Sequence, residues 1–62
     1  MNQLYTVIFT GDFFTLTTCA TANDEQQAIR HSQELLNEYH GINTQEIGVT
    51  NTEVHIDGEW LV

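Results

Sequence analysis

The sequence predicts an α+β domain in which one helix packs on one face of an antiparallel three- or four-stranded sheet, in the order ββαβ or ββαββ. Three observations carry this. Two alternating apolar stretches, Leu4–Thr10 and Phe13–Thr21, flank a turn signal at Gly11-Asp12. A capped segment from Asn23 to Gly41 repeats its apolar residues at helical spacing. A further alternating stretch follows in the last third. At 62 residues the chain is expected to form one domain over residues 1–62.

In the first strand Tyr5, Val7 and Phe9 point one way, and Leu4, Thr6, Ile8 and Thr10 the other. Gly11-Asp12 reads as a two-residue hairpin turn with glycine first, where a positive φ is required. In the return strand Phe14, Leu16, Thr18 and Ala20 form one face. Phe13, Thr15, Thr17, Cys19 and Thr21 form the other, and its threonines suit solvent.

The helix is predicted from about Asp24 to His40. Asn23 is the expected N-cap, with Gln26 completing a capping box. Asp24 and Glu25 sit where the helix dipole favours anions. Ala28, Ile29, Ser32, Leu35, Leu36 and Tyr39 form the inward stripe, and Gly41 the C-terminal cap. Ile29, Leu35 and Leu36 are expected among the most buried side chains. Gln27, Arg30, His31, Glu34 and Glu38 lie on the opposite face, with Arg30–Glu34 as the one favourable charge pair.

Ile42 to Gln45 reads as a connection. Ile47 and Val49 then alternate with polar residues and start a strand, which Asn51-Thr52 interrupts with a turn or bulge. Val54 and Ile56 alternate with His55 and Asp57. Asp57-Gly58 is a hairpin signal, and residues 59–62 would supply a short final strand carrying Trp60.

Nine carboxylates face one basic side chain, Arg30, and the formal net charge is -8. A field of that sign repels nucleic acid and anionic membrane and attracts basic protein surfaces. The aromatic content and the absence of long charge runs place this charge on a folded surface rather than in a disordered tail. A single cysteine and the lack of a signal-peptide pattern lead to the expectation of a cytoplasmic protein. No apolar run is long enough to span a membrane as a helix.

The catalytic and metal constellations are weak. His55, Asp57 and Glu59 stand two apart and would share a strand face, but a turn at Asp57-Gly58 breaks that alignment. Cys19 with a histidine is a minimal nucleophile pair, yet nothing nearby marks an oxyanion hole. Phosphate-loop glycine spacing is missing. No catalytic residue, cofactor or metal is expected, and the protein is read as a non-enzyme.

The segments Tyr5 to Phe9, Thr17 to Ala22 and Asn23-Asp24-Glu25-Gln26-Gln27-Ala28-Ile29 together resemble the small acidic accessory proteins of phages and mobile elements of the DpnD/PcfM-like sort. The resemblance covers roughly residues 4–40, where a strand pair leads into a helix entry rich in Asn, Glu and Ala. It implies a phage-like accessory protein that binds and inhibits a host enzyme, such as restriction, CRISPR or transcription machinery. No functional residue carries over from it.

The leading expectation is a small acidic inhibitor or modulator of a host nucleic-acid-binding protein, with carboxylates occupying the place of phosphates. Its partner-binding residues would be Asp24, Glu25, Glu34 and Glu38 on the helix, with Glu53, Asp57 and Glu59 as a second set. Exposed Phe13 or Trp60 would serve as anchors. The alternative is a structural or assembly module that homodimerises through an edge strand, its charge serving only solubility.

Overall fold

A computed structural model of the protein describes residues 2–59. It contains β1 (Gln3–Gly11), β2 (Thr15–Ala22), α1 (Glu25–His40) and β3 (Val49–Glu59). The three strands form one antiparallel sheet in the order β2-β1-β3, with the helix against one face. The predicted α+β class and the three-strand form of the sheet are both present. Residues 60–62, where a fourth strand was expected to continue, lie outside the described residues.

β1 is the central strand, and its alternation places the core. Tyr5, Val7 and Phe9 are all but inaccessible to solvent. Across the strand pair they face Ala20, Thr18 and Leu16, so their side chains share the helix side of the sheet. Ala22, Ala28 and Leu36 complete the buried cluster, with Leu16, Ile29, Ile42, Val49 and Val54 packed at its margin. On the other face Thr17, Cys19 and Thr21 are exposed, as their spacing predicts.

The hairpin turn sits one residue later than expected. The Gly11 N–H donates to the Phe14 carbonyl at 3.0 Å, which leaves Asp12 and Phe13 at the tip. Gly11 does not take a positive φ. A Cβ at this position would meet the Phe14 ring, which would have to shift to make room.

The helix entry is also shifted by one. Asp24, not Asn23, is the N-cap, and its Oδ1 accepts from the Gln27 N–H at 2.8 Å. Gln27 Oε1 in turn accepts from the Asn23 N–H at 2.7 Å. Asn23/Gln26 and Asp24/Gln27 both have capping-box spacing; the second is used, with Gln27 reaching one residue past the cap, and the charged Asp24 is the stronger acceptor at the positive end of the helix dipole. At the far end Gly41 is left-handed, with φ 64°, and its N–H reaches Asn37 O.

The inward stripe is narrower than predicted. Leu36 is buried, but Ile29 and Leu35 are half-buried, and Tyr39 is 72% exposed. α1 packs chiefly on β2 and least on β3, so its last turn runs off the core. Ser32, fully buried with its hydroxyl unpartnered, fills the centre of the helix contact.

Three expectations for the last third are corrected. Ile47 does not start the strand; it belongs to a turn that Asn43 organises. Asn43 Oδ1 accepts from the Gln45 N–H, and its carbonyl accepts from Glu46 and Ile47. Gly48, at φ 78°, releases the chain into β3. Asn51-Thr52 does not interrupt the strand; the irregularity falls at Thr50, whose Oγ1 donates to Thr10 O at 3.0 Å. Asp57-Gly58 is not a hairpin. β3 continues through it to pair Gly58 with Leu4 and Glu59 with Gln3, leaving Asp57 as the extra residue of a bulge. Continued pairing meets the backbone groups of Leu4, which face this side and which a turn at Asp57 would leave open.

Two substitutions on one helix face should separate. Leu36→Ala is expected to cost roughly 2–5 kcal/mol, a large share of the stability of so small a domain. Ser32→Ala removes a buried hydroxyl that lacks a partner and should be neutral or stabilising, by up to about 1 kcal/mol. Urea denaturation of both variants checks the pair.

Candidate functional site: an acidic groove along the open edge of β2

The sheet alternation and the helix period together build a groove. His31, Glu34, Leu35 and Glu38 recur at three- and four-residue spacing and form one flank of α1. Because the helix lies chiefly over β2, this flank borders the outer edge of that strand. With Leu4, Cys19, Ala20 and Thr21 it lines a solvent-open groove of about 400 Å³. His31 fixes the helix to the edge, its Nδ1 lying 2.9 Å from the Thr21 carbonyl. A carbonyl only accepts, so Nδ1 carries the hydrogen. The expectation of an exposed His31 is corrected: the ring is half-buried and bonded.

The predicted partner-binding residues do not converge on one surface. Glu34 and Glu38 share the groove. Glu53 and Asp57 lie on β3, across β1 from β2. Two interstrand spacings, about 10 Å, separate β3 from the β2 edge that Glu34 and Glu38 border. Glu53 faces away from the helix and lies 3.7 Å from His55 Nε2. Asp24 is committed to the helix cap, and Glu25 is exposed in the first turn. Glu59 ends β3, and Trp60 lies outside the described residues. Phe13 is 99% exposed at the hairpin tip, on hand as an apolar contact.

Every carboxylate whose side chain is described is exposed. Among the described residues the one close approach of a basic side chain to a carboxylate is His55 to Glu53, an ion pair only when the imidazole is protonated, and the expected Arg30–Glu34 pair does not form. No group of three metal-ligating side chains occurs among the described residues. No helix there is long and apolar enough to cross a membrane.

Sequence reasoning placed His31, Glu34 and Glu38 together on the solvent face but missed Cys19 and Leu35 as their companions. The signal was the second stripe, 31/34/35/38, one step around the helix from the buried one. In comparisons with protein-family models, with curated proteins and with solved structures, nothing matches this chain.

Glu34 and Glu38 are like charges one helical turn apart, and no described cation relieves them. Glu34→Gln combined with Glu38→Gln should therefore leave the fold intact and raise stability by a few tenths of a kcal/mol, about 0.2–0.5. Thermal melts at low salt check this, and the gain should shrink as salt screens the repulsion.

Proposed function

We propose that this protein is a non-enzymatic acidic binder that inhibits or modulates a larger host protein of the nucleic-acid-binding kind, by docking its carboxylates on a basic surface. One observation carries the reading. The charge of -8 is presented outward, and among the described residues no arginine lies within ion-pair distance of a carboxylate. Self-repulsion of this kind destabilises a compact domain, and a basic partner relieves it. A domain this small already buries only about 60% of its unfolded surface, so it has little stability to spare.

The mechanism is competition. Carboxylates on the protein occupy sites that would otherwise hold phosphates, and the long-range field speeds encounter. The resemblance to phage-like accessory proteins fits the same role, with restriction, CRISPR or transcription machinery as the class of target. The separation of the two acidic sets narrows the contact. Glu34 and Glu38 form the primary docking surface, and the β3 carboxylates contribute to steering.

Immobilised protein should retain its partner from host lysate at low salt, release it as salt rises, and release it to added duplex DNA. The Glu34→Gln, Glu38→Gln variant should bind more slowly, chiefly through the association rate. Direct binding of the protein to duplex DNA at physiological salt would overturn the reading. So would retention that neither salt nor DNA alters.

A further inference from the structure

Among the described residues no strand pairs with the outer edge of β2, and the backbone groups along it alternate in direction. In an antiparallel pair a residue directs both its N–H and its C=O to the same side, and the sides alternate along the strand. The Gly11 N–H to Phe14 O bond fixes the phase. With the register Phe9↔Leu16, Val7↔Thr18 and Tyr5↔Ala20, those residues bond inward between β1 and β2. Thr15, Thr17, Cys19 and Thr21 then direct their backbone groups outward. Two independent contacts agree: Thr18 Oγ1 reaches the inward Val7 carbonyl, and His31 reaches the outward Thr21 carbonyl.

Sheet edges are ordinarily blunted by charges, prolines or bulges. β3 is blunted in this way. It carries two register irregularities together with Glu53, His55 and Asp57. β2 has none of these devices. Its sequence, Thr-Leu-Thr-Thr-Cys-Ala-Thr-Ala, is uncharged, and its register with β1 is unbroken.

We propose that β2 accepts an extended basic segment of the partner as an added strand, seated in the groove with its lysines or arginines against Glu34 and Glu38. Strand addition beside a helix supplies affinity through main-chain bonds and specificity through alternate side chains. The spacing selects the occupant. Glu34 and Glu38 are four residues apart on α1, a rise of about 6 Å. Alternate residues of an extended strand stand about 6.6 Å apart. Basic residues at every second position therefore match the two carboxylates in pitch. Leu35 and Ala20 give the intervening region an apolar wall. A second copy of this chain fits less well. Isologous pairing of two β2 edges would bring two grooves, each holding Glu34 and Glu38, toward one another in a pair of total charge twice -8.

This inference rests on the acidic-binder reading, and the test separates the two. The probe is a short fluorescein-labelled peptide in which lysine alternates with valine and threonine. One control has the same composition with its lysines in a block; another is N-methylated at alternate amides along one edge. Binding to the full chain is read by anisotropy and by amide exchange in NMR. The alternating peptide should bind about tenfold more tightly than the block, and N-methylation on the docking edge should remove most of that advantage. The Glu34→Gln, Glu38→Gln variant should lose about tenfold. The amides of Thr17 and Cys19 should slow in exchange when the peptide is bound.

Equal binding of alternating and block peptides, with no slowing at Thr17 and Cys19, would overturn strand addition while leaving the acidic-binder reading in place. Failure of every basic peptide to bind would overturn both. Concentration-dependent protection of Thr17 and Cys19 without peptide would assign the edge to a second copy and overturn the proposal.

Discussion

One helix has to cover three strands, and it cannot. A helix is about 10 Å across with its side chains, and strands lie about 4.8 Å apart, so α1 shields about two of them. It settles across β2 and β1. The central strand thereby gains a partner on each side and a helix above it, and Tyr5, Val7 and Phe9 become the core. β3 receives the remainder: Val54 is half-buried and Ile56 is 60% exposed although it points to the same side. The marginal burial of Ile29 and the exposure of Tyr39 follow from the same placement.

That placement also creates the groove. A helix centred over the sheet would hide its flank residues against β1 and β3. Shifted toward β2, it carries His31, Glu34, Leu35 and Glu38 along the strand edge, where His31 closes the corner on Thr21. Two of the carboxylates, Glu34 and Glu38, then fall beside an open hydrogen-bonding edge rather than on a closed surface. Electrostatics brings a basic partner near, and the edge offers it a way to be held. The sheet therefore has unequal edges, with a bulged and charged β3 on one side and a regular, neutral β2 on the other.

Periodicity made much of this legible. Two-residue alternation placed Tyr5, Val7 and Phe9 on one face and Thr17, Cys19 and Thr21 on the other, and helical spacing placed Ala28, Ser32 and Leu36 inward. What it missed depends on contacts distant in sequence. Asp57-Gly58 carries a strong local turn signal, yet the outward backbone groups of Leu4 on β1 draw β3 straight through it. Ile47 alternates correctly but is captured by the Asn43 turn. The cap moved from Asn23 to Asp24 because two overlapping capping boxes compete and the charged one prevails. The groove was invisible because the lateral position of a helix on a sheet is set by tertiary packing, and no local pattern encodes it.

The central claim is that β2 has a paired side and a free side in the isolated protein. Native-state amide hydrogen exchange, resolved residue by residue, measures this directly. The account predicts a period of two along the strand: Leu16, Thr18 and Ala20 exchange slowly, and Thr15, Thr17 and Cys19 exchange fast, while β1 is protected at every residue from Tyr5 to Phe9. Uniform protection of β2, as strong at Thr17 and Cys19 as at Thr18, would contradict it.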